Sequence, residues 1–260
     1  MKCVILAAGK DQNSIEKSPK CLRLINDKTI IDYFIDLFED ISFSNIHLVG
    51  GFEILQIMEK YPNLKYNYNA KWAETKSLYS LSKVFTSLSG STLVAYSDII
   101  HKSEIFKTID QNKINVFYDS LWKNRYENRD LNNLEKILDN KGALLGEFAG
   151  LMYIPAKELD KIKFFTMELL EKNIKSTMTD LINILNRKYN ICFIDVAGNW
   201  TELDSLHDVM QFKFGTKAET LKRLKESLKT SLVLEQYTFT VEEYIADQKC
   251  IVQNIQNNLS

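Results

Sequence analysis

The run Cys3-Val-Ile-Leu-Ala-Ala8 is apolar at every position and stops at Gly9. A strand with one face in water alternates polar and apolar residues. Six apolar residues in a row instead require a strand buried on both faces, as in a parallel sheet covered by helices. The next segments fit that frame. Ile30 to Phe38 has apolar residues at helical spacing, with Asp32, Asp36 and Glu39 on the other side. Strands are predicted at 45–49, 64–68, 92–96 and 114–118, with helices at 53–60, 78–88 and 105–109 between them. This rhythm implies a mixed, mostly parallel α/β sheet with right-handed crossovers.

The rest of the chain is less regular. Trp122 to Asn140 is polar and reads as a loop plus a helix, and Lys141 to Ile154 as a strand pair. Helices are predicted at 156–172 and 179–188, and a last strand at 191–196. From Ser205 the pattern is mainly helical, ending in a helix over 240–257. The chain is therefore read as a domain over 1–210 and a helical C-terminal extension over 211–260.

Composition narrows the function. A net charge of -1 offers no general attraction to nucleic acid or an acidic membrane. Cys3, Cys21, Cys192 and Cys250 form no CxxC pair, so they read as thiols of a reducing compartment. No apolar stretch approaches the roughly 20 residues needed to span a bilayer, and the N-terminus lacks a signal-peptide pattern. The expectation is a cytoplasmic protein without nucleic-acid or membrane partners. The C-terminal helices offer a surface through which a homodimer could form.

In open α/β sheets, ligands sit beyond the carboxyl ends of the strands. Gly9, Gly50-Gly51 and Ser97-Asp98 each follow such an end and are expected to line one cleft. Leu6, Ala7, Ala8 and Gly9 present little side-chain bulk at the end of the first strand, so backbone can approach a base and a phosphate. Lys20, behind Pro19, is placed to neutralise charge on a transferring phosphoryl group. Asp98 and Asp204 follow distant strands and can together hold one Mg²⁺; either one, taken alone, reads rather as a helix N-cap. Asn69, Lys76 and Ser77 lead into the next helix, where Thr75 or Ser77 could act as its cap. Asp119, Trp122, Arg125, Arg129 and Glu147 form a further polar group, in which the arginines suit a phosphate and the carboxylates an ammonium.

Leu6-Ala-Ala-Gly9 followed by Pro19-Lys20 resembles the N-terminal signature of the sugar-phosphate nucleotidyltransferase superfamily. Trp200-Thr-Glu-Leu-Asp204 resembles that superfamily's Trp-x-Glu-Ile-Asp segment. Tyr68 to Ser80 and Gly146-Glu-Phe-Ala-Gly150 are similar to its choline-phosphate and phosphonate cytidylyltransferase branch. The resemblance implies the Rossmann-like nucleotide-diphospho-sugar transferase fold and transfer of CMP from CTP to a small phosphorylated acceptor. It makes Lys20 the catalytic lysine, and Asp98 and Asp204 the metal ligands. Leu6, Ala7, Ala8, Gly9, Lys10, Gly51, Asn69, Lys76 and Ser77 would bind the nucleotide. Asp119, Trp122, Arg125, Arg129, Glu147, Trp200 and Glu202 would bind the acceptor. The family loop Gly-x-Gly-Ser/Thr-Arg is replaced by Gly9-Lys-Asp-Gln-Asn13, with Lys10 or Lys17 as the candidates to replace its arginine.

Segments at 214–221 and 237–243 are similar to sequence found near kinases related to phosphoenolpyruvate synthase. They point to L-glutamine phosphate, within capsular phosphoramidate synthesis, as the acceptor. Phosphocholine or an aminoalkylphosphonate is the alternative, with Trp72, Trp122 and Tyr153 as an aromatic cage. Two other classes stay open: a glycosyltransferase, although Ser97-Asp-Ile-Ile100 lacks an Asp-x-Asp triplet, and an inactive nucleotide-binding homologue.

Overall fold

The structure is a computed structural model that describes residues 1–10, 18–25, 27–37, 45–125, 134–203, 221 and 247–259. The chain divides into two compact units, Met1–Ser205 and Leu206–Ser260. In the second unit the described residues form a helix, Gln248–Leu259.

The first unit is built on a mixed, mostly parallel eight-stranded sheet. Its strands are β1 (Lys2–Ala7), β4 (Ile46–Gly50), β5 (Lys65–Tyr68), β6 (Thr92–Tyr96), β8 (Asn115–Asp119), β9 (Lys136–Leu138), β10 (Leu144–Ile154) and β11 (Cys192–Asp195). The order is β11-β8-β10-β6-β1-β4-β5, with β9 paired to β10. β1 is parallel to β4 and β6, β4 to β5, and β8 to β11, whereas β10 runs antiparallel to β6, β8 and β9.

The apolar run of β1 is buried on both faces, as its composition requires. Val4 and Leu6 join a cluster with Leu78 and Leu81 of α3 (Ser77–Ser82), Ile162 and Phe165 of α4 (Leu159–Lys172), and Leu181 and Leu185 of α5 (Met178–Lys188). Cys3 and Ile5 point to the opposite face by strand alternation and are fully buried too. Thr29 and Asp32 start α1 (Ile30–Leu37) by exchanging bonds of 2.7 and 3.1 Å, a capping box. Thr177 and Asp180 do the same for α5. Between them, α2 (Ile54–Lys60) connects β4 to β5.

Several predicted elements change. The helix expected over 78–88 ends at Ser82, and a 3-10 turn at Phe85–Ser87 follows. The polar stretch at 122–140 holds no α-helix among its described residues. It contains a 3-10 turn, Trp122–Arg125, and the strand β9, whose partner β10 is one long strand rather than a pair. Apolar Ile137 alternates with exposed Lys136, which is a strand signal too short to read against the surrounding charge. The register of β10 shifts against β8 between Phe148 and Met152, and Gly150 there has φ +66. Such a bulge re-aims the residues before it; here these include Glu147, which pairs with Asp119.

Candidate functional site

The carboxyl ends of β1 and β6 open on a cavity of about 530 Å³. Leu6, Ala8, Gly9, Lys10 and Lys20 line it from the N-terminal segment, Trp72 to Ser77 from the turn after β5, and Tyr96 to Asp98 from the end of β6. Backbone bonds hold its floor: Ser97 N–H donates to Leu6 O at 3.2 Å, and Phe52 N–H donates to Ala8 O at 3.0 Å. Gly51 lies behind this wall. A β-carbon there would come within 2.5 Å of Trp72 Cβ and 2.7 Å of the Ala8 carbonyl oxygen, so the close approach excludes any side chain.

Lys20 and Asp98, 78 residues apart in sequence, meet as an ion pair of 2.9 Å. Pro19 fixes the entry to the 3-10 turn Lys20–Leu22, which presents the lysine to the cavity. Asp98 does not cap a helix, because β7 (Ile99–His101) follows it directly. β7 pairs antiparallel with β12 (Trp200–Glu202), matching Trp200 with His101 and Glu202 with Ile99. Leu203 N–H then donates to Asp98 O at 2.9 Å, and Arg23 donates to Leu203 O at 2.6 Å. Lys20, Asp98 and the end of the Trp-x-Glu-Leu segment are thus tied together. Asp204, the next residue, lies outside the described residues, as does Lys17.

Other nucleotide candidates are spread between lining and support. Ala7 is buried in β1 just before the lining residues. Lys10 lines the cavity and sits 5.4 Å from the centre of the Phe52 ring, a cation–π distance. Asn69 is only 1% exposed, and its amide donates to Thr75 Oγ1 and Ser80 Oγ, both at 3.1 Å. It also accepts from Lys71 N–H at 3.0 Å, so it shapes the 71–76 turn from within. Lys76 occupies the N-cap position of α3, which has no side-chain cap; neither Thr75 nor Ser77 caps the helix. Thr75 donates back to Lys71 O at 2.7 Å, and Ser77 is already the first helical residue.

The sequence reading missed Tyr96 and Glu135. The Tyr96 hydroxyl lies 2.9 and 3.1 Å from the two Glu135 carboxylate oxygens and 3.0 Å from Ser77 Oγ. Burial, with Asp98 and Glu147 adding like charge, pushes the Glu135 carboxyl up to about 7, against the bond from Tyr96 and the charge of Lys76. Burial, and then the Glu135 and Asp98 carboxylates, raise Tyr96 well above the usual tyrosine range. A tyrosine at a strand end beside a candidate aspartate is a readable signal. Glu135, in a stretch that reads as polar loop, has none.

A second polar group forms where β8 ends beside the start of β10. Asp119 and Glu147, 2% and 4% exposed, face each other in register. The Asp119 carboxylate accepts from Trp200 Nε1 at 3.0 Å and from Leu121 N–H at 2.8 Å. Trp200 stacks on His101, with ring centres 6.3 Å apart and planes 17° apart. His101 Nε2 is 2.8 Å from Ala149 O, and burial lowers its pKa to about 4. Trp122 and the backbone of Arg125 belong to the turn after β8; Arg129 lies outside the described residues.

Tyr153 corrects the aromatic-cage expectation. It pairs with Leu93 and Asn115 at the far end of β10, and six residues of strand separate it from Glu147, about 20 Å. Trp72 meanwhile lines the first cavity, 5.3 Å edge-on to Phe52.

No family model matches the chain. The CTP:phosphoglutamine cytidylyltransferase of Campylobacter jejuni is 23% identical over 249 residues, which cover 80% of this chain and 98% of that protein. Among solved structures, the CTP:phosphocholine cytidylyltransferase of Streptococcus pneumoniae aligns with a TM-score of 0.62 at 19% identity, over 82% of this chain and 97% of that one. The inositol-1-phosphate CTP transferase of T. maritima gives a TM-score of 0.62 at 15% identity, over 88% of this chain and 98% of that one. The chain therefore has the Rossmann-like nucleotidyltransferase fold, and the resemblance read from its sequence is met by both comparisons.

Proposed function

We propose that this chain, with its nucleotidyltransferase fold, transfers CMP from CTP to a small phosphorylated acceptor and releases pyrophosphate. The observation that carries the reading is the Lys20–Asp98 pair of 2.9 Å at a cavity whose other wall is the Ala8-Gly9 backbone. Small residues admit the base and phosphates, a lysine answers the charge, and a carboxylate is available for a cation. An oxygen of the acceptor phosphate attacks the α-phosphorus, the bond to the bridging β-phosphate oxygen breaks, and pyrophosphate leaves with that electron pair. The attacking oxygen is already ionised, so charge stabilisation rather than a general base drives the step. Lys20 is the residue proposed to supply it.

Mg²⁺ suits this donor set. Among the described residues no group of three or more His, Cys, Asp or Glu gathers, and Mg²⁺ takes one or two carboxylates with phosphate oxygens and water. Asp98 and Asp204 are the residues proposed to hold it, where it would neutralise charge between the two phosphates.

For the acceptor we favour L-glutamine phosphate, the substrate class named by the C. jejuni relative. The Asp119–Glu147 pair suits its ammonium, with Arg125 and Arg129 proposed for its anionic groups. On this reading the chain serves capsular phosphoramidate synthesis. The position of Tyr153 removes one wall of the cage that phosphocholine would want.

The test is pyrophosphate release from CTP, ATP, GTP and UTP, each with L-glutamine phosphate, phosphocholine or 2-aminoethylphosphonate. CTP with glutamine phosphate should be fastest. Release from no combination would reject the enzymatic reading, and a preference for phosphocholine would reject the acceptor.

A further inference from the structure

Four lysines, Lys10, Lys20, Lys76 and Lys175, line the cavity at the ends of β1 and β6, against two carboxylates, Glu74 and Asp98. In a chain whose net charge is -1, that local excess of positive charge makes the cavity a place for an anion. Three of the four lysines are already engaged. Lys20 pairs with Asp98 at 2.9 Å, Lys10 stands over the Phe52 ring, and the charge of Lys76 acts on the Glu135 carboxyl. The Lys175 ammonium is exposed at the cavity wall and has no partner among the described residues.

The backbone of Lys175 is held far more firmly than its side chain. It belongs to the turn between α4 and α5, where its N–H donates to Asn173 Oδ1 at 3.0 Å. The buried Ser176 hydroxyl donates to Asn173 O at 2.8 Å, and the Thr177–Asp180 capping box of α5 closes the turn. Met178 N–H then donates to Ser77 Oγ at 3.1 Å, which joins the turn to the start of α3 at the cavity. Ser77 Oγ also accepts from Tyr96 O–H at 3.0 Å. With both lone pairs taken, the Ser77 hydroxyl has its own proton left to give. A positioned hydroxyl donor and a cation on a pinned turn therefore reach the same cavity. Phosphate oxygens are the acceptors that suit both.

We propose that Lys175 is a ligand of the nucleotide's phosphates, reaching them from the α4–α5 turn beside the Ser77 hydroxyl. This rests on the nucleotide reading of the cavity given above. The nucleotide is assigned rather than the acceptor because Lys175 shares its cavity with Ala8, Gly9 and Lys20, whereas Asp119 and Glu147 line no part of it. A lysine suits the task. Its ammonium is a compact charge on a flexible stem, so a turn anchored outside the site can deliver it to a phosphate.

The experiment titrates cytidine, CMP, CTP and inorganic pyrophosphate into wild type, Lys175→Ala, Lys175→Arg and Lys172→Ala, by calorimetry in one buffer containing Mg²⁺. Lys172, in the last turn of α4, is the control: it carries the same charge but pairs with Glu168 at 2.6 Å and lines a different hollow. Both lysines are exposed, so each variant should melt as wild type does. Lys175→Ala should weaken CTP and pyrophosphate about tenfold, the worth of one charge-assisted hydrogen bond, and cytidine by less than about twofold. The loss should shrink as salt is raised, as an exposed charge requires. Lys175→Arg keeps the charge and should stay within about threefold of wild type. Lys172→Ala should bind all four ligands as wild type does. Equal losses for CMP and CTP identify the α-phosphate as the partner, and losses for CTP and pyrophosphate alone identify the phosphates beyond it.

Unchanged binding of CTP and pyrophosphate by Lys175→Ala, an equal loss for cytidine, or an equal loss in Lys172→Ala would each overturn the assignment. So would a defect confined to the KM for L-glutamine phosphate or phosphocholine, which would place Lys175 with the acceptor. A wild type that binds pyrophosphate through Lys175 but turns over no CTP keeps the phosphate site and removes the transferase reading. A wild type that transfers CMP, with an unchanged KM for CTP in Lys175→Ala, keeps the transferase reading and removes the site.

Discussion

Lys20→Ala separates a catalytic lysine from a structural one. At the observed 2.9 Å the gross attraction to Asp98 is about 1 kcal/mol in a water-like dielectric and about 6 kcal/mol at an effective dielectric of about 20. Both side chains keep some solvent contact, 17% and 23%, and ordering plus desolvation offset most of that attraction. The net loss of stability should be about 1 kcal/mol, or about 2–4 °C in melting temperature for a unit of this size. Turnover should change far more. Removing a preorganised charge aimed at a reacting phosphoryl group costs about 10²–10³ in kcat, or about 3–4 kcal/mol of barrier. Pyrophosphate release at saturating CTP, with thermal unfolding of the same preparation, measures both quantities. Lys20→Arg should recover only part of the rate, because a planar guanidinium cannot reproduce a compact ammonium on a flexible stem. A kcat for Lys20→Ala within threefold of wild type would refute the reasoning. So would an activity loss that merely follows the unfolded fraction.

Asp98→Asn should abolish the Mg²⁺-dependent rise in turnover while leaving a folded protein; an unshifted Mg²⁺ titration would count against Asp98 as a ligand. Gly51→Ala should cost about 1–3 kcal/mol of stability and raise KM for CTP, because the new β-carbon would lie 2.7 Å from the Ala8 oxygen on the cavity wall; wild-type melting and KM would show that the wall yields. For His101, burial lowers the pKa from 6.5 to about 4, so the folded state resists protonation. Its contribution is complete above about pH 6.5 and is lost as pH falls towards 4, amounting to about 3 kcal/mol. Urea unfolding of wild type and His101→Gln at pH 7 and 4.5 should show the smaller acid loss in the variant, and equal losses would disprove it.

The sheet was legible because burial on both faces leaves a mark in consecutive residues. Val4, Ile5 and Leu6 can be read without knowing what covers them, and so can Leu93, Val94 and Ala95 of β6. Short or mixed elements leave no such mark. β9 is three residues with one buried side chain, and β10 alone among the central strands runs antiparallel to its neighbours. Direction is set by which partner each strand finds, and a list of apolar residues does not contain that choice. The break of α3 at Ser82 is similar, since Lys83 and Val84 continue a helical spacing while the backbone turns to the Phe85–Ser87 segment.

The nucleotide half of the site was read more completely than the acceptor half, and the reason is local. Ala8, Gly9 and Lys20 belong to one short stretch, and Asp98 follows directly on a buried strand, so adjacency in sequence already places them at strand ends. Asp119, Glu147 and Trp200 come from three separated segments and meet only through the β8–β10 register and the Trp200–Asp119 bond. Glu135 is the extreme case. Its partner Tyr96 is 39 residues away, and nothing about a glutamate between Leu134 and Lys136 distinguishes it from a solvated one. What marks it is a carboxyl raised by burial and by the like charges of Asp98 and Glu147, against the charge of Lys76, together with a Tyr96 hydroxyl that reaches both it and Ser77 at the cavity. Both properties belong to the fold rather than to any segment of the chain, so residues of this kind emerge only when hydrogen bonds are followed outward from the site.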